Sequence, residues 1–370
     1  MIDFSKKHDN KAFRFSVTLV TAFIGGLVFS ALHTPIPWLL GPMAAVLIGG
    51  RFRFGKIHYY WPTSIRDTGL IIVGYSIGLS FTKEALQQIT AKLPSMLIMT
   101  VLLVCFCAGI AWVVSKLTGV DYPTVLTGSI PGGLSQMIIF AEEMKGIDIT
   151  TVTFLQVARL MMIIFFVPFL ILGPLFNNKP ATLTSDFADK MVQSTVPLFP
   201  NIIPFVLICV ICAFLAKKLK FPTPFMLGPI AGTAAATIFE LHGPALTAPI
   251  LDLSQFMIGG YIGLLLKPEK LRSKAKMITL ALLSGVFMIV GSVGLAFLLV
   301  HFYDISPSTS LLSLAPGGMD QMAILAHEVH ADLSMVTGYQ IFRLFFIYFA
   351  VPPLLRLFFK VGNRKTRKAA

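Results

Sequence analysis

Charged side chains are scarce in this sequence. Asp, Glu, Lys and Arg make up 13% of the 370 residues, whereas 55% of the residues are hydrophobic. A soluble domain carries about 25% charged residues, so this chain has too few of them to cover a water-exposed surface. The composition therefore excludes a globular soluble domain and favours an integral membrane protein.

Long polar segments are also missing. Outside the apolar runs, the longest polar parts are the stretch 177–195 and short tails at the two ends. The sequence contains no Walker A phosphate loop, so nothing in it predicts that this chain hydrolyses ATP.

Residues that could hold a metal are few and scattered. Cys209-x-x-Cys212 has the spacing of a redox or metal pair, but no other ligand type lies nearby, and packing within a helix explains it better. Iron or copper chemistry needs clustered histidines and carboxylates, so we expect no metal, no cofactor and no enzymatic activity. The seven histidines are His8, His33, His58, His242, His301, His327 and His330.

The net charge is +13, and the positions of the basic residues indicate whether this charge serves membrane orientation or nucleic-acid binding. They form short clusters beside apolar runs, for example Arg51 with Arg53, Lys217 with Lys218, and the tail 361–370. Membrane proteins keep such clusters on the cytoplasmic side, whereas a nucleic-acid-binding protein would carry a recognition motif. The charge therefore predicts membrane orientation and no nucleic-acid partner.

Apolar runs of membrane length predict the fold class. A helix needs roughly 20 apolar residues to cross a bilayer, and only helices or closed barrels satisfy their backbone hydrogen bonds there. We therefore expect an all-α protein, a polytopic transmembrane helical bundle. The runs are 17–31, 96–114, 154–173, 202–216 and 278–300.

An internal duplication organises the chain. The motif Pro-x-Pro-[Trp/Phe]-x-Leu-Gly-Pro begins at Pro35 and again at Pro222, and the motif Pro-Gly-Gly-x-x-Gln-Met begins at Pro131 and again at Pro316. The order and the nearly constant offset of such matches indicate two tandem repeats. We expect a tail 1–12, a first repeat 13–175, a linker 176–196, a second repeat 197–360 and a basic tail 361–370.

The charged loops indicate how the repeats are oriented. Each repeat contains six elements, and the fifth carries Pro-Gly-Gly in its middle. In the first repeat the loop after the second element is basic (Arg51, Arg53), whereas in the second repeat the loop after the first element is basic (Lys217, Lys218). Matching loops therefore face opposite sides. The prediction is inverted topology, with about ten spans, two re-entrant or broken Pro-Gly-Gly elements and both termini in the cytoplasm.

The Pro-Gly-Gly elements are the first candidate site. A broken membrane helix exposes backbone groups, which are tolerated only inside protein or at a watery cavity, and its half-helix points a positive N-terminal dipole inward. Paired breaks in two repeats are typical of a transporter's substrate site, although a kink that only improves packing is the alternative. The candidate residues are Pro131, Gly132, Gly133, Ser135, Gln136, Pro316, Gly317, Gly318, Asp320 and Gln321.

Two arginines within apolar helices are the second candidate. Arg159 and Arg343 each follow a glutamine by three residues, Gln156 and Gln340, so each Gln–Arg pair shares a helix face. A charge at this depth needs a partner. Two interpretations stay open, namely binding of an anionic substrate or a structural ion pair. For the ion pair, the candidate carboxylates are Asp148, Glu143, Asp332 and Glu328.

The repeats differ at one polar position of this site. Asp320 stands where the first repeat has Ser135. An acidic group in the membrane often marks an ion path, so Asp320 could couple transport to H+ or Na+, or could pair with an arginine.

His327-Glu328-x-His330 lacks metal-site spacing, and we interpret it as interfacial polar residues.

The Pro-Gly-Gly and Pro-x-Pro motif pairs resemble the AbrB-type membrane family of bacteria, over about residues 13–360. The resemblance implies two AbrB-duplication units and a bacterial inner-membrane location. Family members are labelled as regulators or as ammonia monooxygenases, and neither label carries a settled activity. The similarly named soluble DNA-binding regulator has a different fold, which this sequence does not resemble.

Three functions are open at this point. The duplication, the paired breaks and the paired arginines favour a secondary transporter of a small anionic or zwitterionic metabolite. A membrane-embedded regulator that acts indirectly on gene expression is the alternative, and a membrane monooxygenase is third because no clustered metal ligands are visible. The expected partners are the lipid bilayer, a small-molecule ligand, H+ or Na+, and a second copy in a homodimer.

Overall fold

The computed structural model describes residues 11–52, 58–144, 146–173, 176, 197–241, 243–265, 274–303 and 305–356. Every regular element among these residues is a helix, and the described part contains no strand. The all-α prediction is confirmed.

The described residues include fifteen helices with the following bounds, and a short helical segment at 351–356 follows the last of them. Those of the first repeat are α1 (Lys11–Ala31), α2 (Pro37–Phe52), α3 (Thr63–Leu79), α4 (Lys83–Ala91), α5 (Leu93–Thr118), α6 (Tyr122–Ser129), α7 (Leu134–Glu143) and α8 (Ile149–Leu172). Those of the second repeat are α9 (Leu198–Lys218), α10 (Pro224–Ile238), α11 (Ala248–Gly263), α12 (Lys274–Tyr303), α13 (Pro307–Leu314), α14 (Met319–Glu328) and α15 (Leu333–Phe349).

Six of the described helical segments are long and apolar enough to cross a membrane. Their outer faces carry large apolar side chains, such as Val20 at 57% exposed and Leu207 at 61% exposed. Large apolar surfaces of this kind need lipid or another protein against them. The polytopic membrane prediction is therefore confirmed. The six segments are Lys11–Ala31, Leu93–Thr118, Ile149–Leu172, Phe199–Lys218, Ile278–Tyr303 and Leu333–Arg356.

The chain folds into two compact units, and each unit takes segments from both repeats. The first unit comprises Met1–Gln88, Pro168–Lys267 and Ala323–Ser334. The second comprises Ile89–Val167, Pro268–Met322 and Met335–Ala370. The first three helices of both repeats thus lie in the first unit, and the Pro-Gly-Gly turns of both repeats lie in the second.

Reciprocal glycine contacts build the first unit. A Cβ atom at Gly74 of α3 would lie 2.8 Å from the carbonyl oxygen of Met226, and a Cβ atom at Gly259 of α11 would lie 2.5 Å from that of Leu39. Only glycine allows such a close backbone approach. Gly74 matches Gly259, and both contacted residues belong to the Pro-x-Pro helices α2 and α10. The third helix of each repeat therefore packs on the second helix of the other.

The matching helices α3 and α11 run antiparallel. The Arg66 guanidinium near the start of α3 lies 4.5 Å from the ring centroid of Tyr261, near the end of α11. Further along α3, the hydroxyl of Tyr75 donates to the carbonyl of Pro244, which precedes α11, at 2.7 Å. Between these contacts, a Cβ at Gly69 would lie 2.9 Å from the carbonyl oxygen of its own counterpart Ser254.

The membrane-length helices α5 and α12 of the second unit show the same arrangement. Lys92, just before α5, donates to the carbonyl of Tyr303 at the end of α12 at 3.0 Å. The Cys107 thiol in mid-helix lies 3.5 Å from the sulfur of Met288. Two equivalent helices that run in opposite directions agree with the inverted topology predicted from the charged loops. The count of ten spans stays a prediction.

Candidate functional site

Both fifth elements are broken at Pro-Gly-Gly. In the first repeat α6 ends at Ser129 and α7 begins at Leu134, and Gly133 between them adopts a φ of +72°. In the second repeat α13 ends at Leu314 and α14 begins at Met319. Proline has no amide hydrogen to continue the helical ladder. The last carbonyls of each first half-helix therefore lack helical partners.

The first Gln–Arg pair binds these free carbonyls. The side-chain amide of Gln156 donates to the carbonyl oxygens of Thr127 at 3.0 Å and Ile130 at 2.9 Å. The guanidinium of Arg159 donates to the carbonyl of Ser129 at 3.1 Å and to the Gln156 amide oxygen at 2.8 Å. The pair thus closes the end of α6 from the neighbouring helix α8.

The second repeat repeats this arrangement. Gln340 donates to the carbonyl of Leu312 at 2.7 Å. Arg343 donates to the carbonyls of Leu314 at 3.2 Å and Ala315 at 3.1 Å, and also to the amide oxygen of Gln340. A cation at a helix C-terminus also interacts favourably with the helix dipole. Each Gln–Arg pair therefore has a structural role at the break of its own repeat.

Three of the four carboxylates proposed as arginine partners have other contacts. Glu143 pairs with Arg356. Asp148 accepts from the backbone amide of Thr150 at 3.0 Å, and Glu328 accepts from Gln255 at 3.3 Å. Within the described residues, the ion pairs do not include Arg159 or Arg343.

The two arginines concentrate positive charge in the second unit. Arg159 is 8% exposed and Arg343 is 4% exposed. The two guanidinium groups lie within electrostatic reach of each other, and the Nε of Arg159 has no hydrogen-bond partner. Each half-helix end supplies roughly half a negative charge, so the two ends offset about one of the two positive charges. The remaining charge suits an anion.

The two breaks are brought together by reciprocal packing. A Cβ at Gly132 would lie 2.6 Å from the Ile347 side chain of α15, and a Cβ at Gly317 would lie 3.1 Å from the Ile163 side chain of α8. Ile163 and Ile347 are matching positions, one turn beyond the arginines. Each break is therefore bound by the Gln–Arg pair of its own repeat and packed against the last helix of the other repeat.

The polar residues after the second break lie at the start of α14. The side-chain amide of Gln321 donates to the Asp320 carboxylate at 2.7 Å, while its own amide oxygen is buried without a partner. A Cβ at Gly318 would lie 2.6 Å from the Asp320 carboxylate. Asp320 thus folds over the turn beside a helix N-terminus. The side chains of its first-repeat counterparts Ser135 and Gln136 lie outside the described part of the chain.

The first unit holds a small pocket that the sequence analysis missed. It has room for about one water molecule. Its polar lining includes Gln255, which occupies the position of Leu70 in the first repeat. This polar residue in an otherwise apolar helix face was the available signal. The pocket is lined by Val73, Ser76, Ile77, Leu251, Ser254, Gln255, Ala323, Ile324, His327 and Leu333.

The described residues contain no group of three or more His, Cys, Asp or Glu side chains that could hold a metal ion. Within the described part of the chain, the segment His327-Glu328-x-His330 therefore does not form part of a metal site.

Comparison with known proteins identifies the family of this chain. A family model described as "Transition state regulatory protein AbrB" matches residues 38–359. The chain is 26% identical to YhjN of Bacillus subtilis (strain 168), over 94% of each chain. It is 27% identical to a protein named "Putative regulator AbrB" of Escherichia coli (strain K12), over 91% of this chain and 94% of the relative. The chain belongs to the AbrB family.

Proposed function

We propose that this AbrB-family membrane protein is a secondary transporter that binds a small anionic or zwitterionic metabolite at its two Pro-Gly-Gly breaks. The pair of buried arginines carries the proposal. Arg159 and Arg343 repel each other, and their recorded hydrogen-bond partners are neutral amides and carbonyls. An anion between the two breaks would offset the charge that the half-helix ends leave uncompensated.

The half-helices α7 and α14 give such a ligand its contacts. Both begin directly after a Pro-Gly-Gly turn, where free backbone amides and a positive dipole end favour carboxylate or phosphate groups. Glycine at these turns lets a ligand approach the backbone closely. Asp320 adds an acceptor at the second break, which would suit the amino group of a zwitterion. The arginines then act mainly through charge, because their hydrogen bonds already hold the breaks.

The internal symmetry suits alternating access. Transporters built from inverted repeats place the substrate at broken helices and expose it to either side in turn. The antiparallel course of α5 and α12 supports this design. We propose a location in the bacterial cytoplasmic membrane with both termini in the cytoplasm, no enzymatic activity and no nucleic-acid contact.

A membrane-embedded regulator is the second candidate, because the E. coli relative carries the name of a regulator. A sensor would use the same anion site without moving its ligand across the membrane. Transport therefore distinguishes the two functions, whereas binding alone does not.

Thermal unfolding of the purified protein in detergent tests the binding site first. The probes are inorganic phosphate, acetate, succinate and glutamate at constant ionic strength. A ligand at 100 times its Kd stabilises the folded state by about 2.7 kcal/mol, so we expect at least one probe to raise the Tm. The variants Arg159→Gln and Arg343→Gln keep a donor for the carbonyls but remove the charge, and should lose the response.

The matched control is Arg356→Gln, which removes an exposed arginine of the same unit and should keep the response. The apo Tm of each variant shows whether it still folds. If no probe stabilises the parent, or if the two charge-removing variants respond as the parent does, the anion site is wrong.

A further inference from the structure

The two half-helices that follow the breaks begin with different polar residues. The first turn of α14 carries Asp320, whereas the matching position of the first repeat is Ser135 and the first turn of α7 contains no acid. An acidic residue offsets the positive end of a helix dipole. The start of α14 therefore attracts an anion less strongly than the start of α7.

A buried amide oxygen at the start of α14 has no partner. Gln321 is 3% exposed, and its Oε1 atom accepts no hydrogen bond within the described residues. The amide nitrogen of the same side chain donates to the Asp320 carboxylate at 2.7 Å. A carboxylate only accepts, so the amide cannot turn over without losing this bond. Its oxygen is thus fixed, and a buried acceptor without a donor is unfavourable.

Two acceptor oxygens meet over the glycine of this turn. A Cβ atom at Gly318 would lie 1.9 Å from the Oε1 atom of Gln321 and 2.6 Å from the Asp320 carboxylate. One charged and one neutral acceptor at the same place suit a positively charged group with several N–H donors. An ammonium group meets both requirements, because it carries three donors and its hydrogen bonds to a carboxylate are charge-assisted.

A positive group lies on the other side of the same turn. Arg343 donates to the carbonyls of Leu314 and Ala315, directly before Pro316, and Asp320 follows Ala315 by only five residues. The second break therefore presents a guanidinium before its turn and acceptor oxygens after it. A molecule that carries both a carboxylate and an ammonium group has the complementary charges.

A metal cation suits these oxygens less well. In transporters with broken helices, unwound backbone carbonyls and the C-terminal ends of half-helices coordinate Na+. At the end of α13 such carbonyls already accept hydrogen bonds from Gln340 and Arg343. An ammonium group needs only the acceptors of Asp320 and Gln321, since it brings its own donors.

We infer that the second break selects a small amino acid, with Asp320 and the Oε1 atom of Gln321 binding its ammonium group and Arg343 attracting its carboxylate. The inference rests on the proposed function and narrows its substrate class from anions in general to zwitterions. Asp320 and Gln321 then determine specificity, whereas the Gln–Arg pairs hold the breaks.

Pairs of ligands that differ only in the amino group test this inference. Glutamate is compared with glutarate, aspartate with succinate, and alanine with propionate, in titrations of the purified full-length protein that follow the Tm at fixed pH and ionic strength. A hydrogen bond to a charged group contributes enough free energy for about tenfold in affinity. We therefore expect at least one amino acid to bind about tenfold more tightly than its analogue.

Two variants assign this preference to the second break. Asp320→Ser places the first-repeat residue at its position, and Gln321→Leu removes the unsatisfied oxygen. Each should bring the affinity ratio of the two ligands close to one. The control is Glu328→Gln, which removes an exposed carboxylate at the other end of α14 and should keep the ratio. A general loss of stability would not change the ratio, because both ligands are measured on the same variant.

Three results would overturn the inference. The amino acid and its analogue could bind the parent equally, or both site variants could keep the ratio of the parent while folding normally, as judged by gel filtration. Na+ alone, compared with choline, could stabilise the parent but not Asp320→Ser, which would assign the oxygens to a metal ion. If an anion without an amino group binds equally well through Arg159 and Arg343, the amino-acid inference fails and the proposed anion site stands. If no ligand binds, both fail.

Discussion

At the residue scale, the Gln–Arg pairs join stability to the proposed function. Gln156 and Gln340 each donate to two or more backbone carbonyls at the end of a half-helix. These carbonyls are buried, and water has little access to them within the bilayer. The glutamines therefore hold the breaks in place, and the arginines add the charge that would attract an anion.

Replacement of Gln340 by leucine should destabilise the second break. Leucine has a similar volume but no donor, and each buried group left unsatisfied costs about 1–3 kcal/mol. We expect Gln340→Leu to lower the free energy of unfolding by roughly that amount, measured as a fall in Tm in detergent. Gln88→Leu, on the exposed face of α4, is the control and should leave the Tm nearly unchanged. Equal Tm values for both variants would show that Gln340 does not hold the break.

The partners of these residues could not be read from the sequence. The spacing of Gln156 and Arg159 predicted a shared helix face and a need for partners, but backbone carbonyls have no signature in the sequence. The carboxylates that seemed natural partners bind other groups, as the pairing of Glu143 with Arg356 shows. Asp320 was identified as a candidate site residue because the first repeat has Ser135 at the matching position. The corresponding replacement of Leu70 by Gln255 was overlooked.

At the element scale, the length of the apolar runs was enough to predict the membrane helices. The contacts between those helices could not be predicted in this way. The break in the fifth elements was visible in advance, since Pro-Gly-Gly both removes a helical donor and adds flexibility. The reciprocal contacts of Gly74 with α10 and of Gly259 with α2 depend on which helices meet. That choice is made by tertiary packing, to which local sequence patterns are insensitive.

The opposite courses of α5 and α12 can be tested in the membrane. Leu117 and Phe302 are matching positions, both 67% exposed, at the C-terminal ends of these helices. In a background without the four native cysteines, Leu117→Cys and Phe302→Cys should react with a membrane-impermeant thiol reagent from opposite sides. Leu93→Cys, at the start of α5, should react from the same side as Phe302→Cys. Labelling of Leu117→Cys and Phe302→Cys from one side would contradict the inversion.

At the scale of the whole molecule, the two sequence repeats and the two compact units divide the chain differently. Each unit combines segments from both repeats, so neither repeat folds as a separate body. The offset between the motif pairs revealed the duplication, but an offset carries no information on how two copies interlock. In the second unit each break packs against the last helix of the other repeat. The proposed anion site would therefore be built from two copies of a simple element.

The two repeats also differ in charge. Asp67 forms an ion pair with its neighbour Arg66, and Glu143 forms one with Arg356 of the second repeat, whereas the ion pairs of the described residues include neither Asp252 nor Glu328. The two copies are therefore not equivalent in charge.

Uptake of radiolabelled anions into proteoliposomes tests the central claim most directly. With Na+ present and an inward proton gradient applied, phosphate, succinate or glutamate should accumulate inside the vesicles in at least one case. The uptake should be lost in the double variant Arg159→Gln and Arg343→Gln and kept in Arg356→Gln. If no anion of the panel is taken up, or if the double variant takes it up as the parent does, the two breaks are not a transport site for these anions.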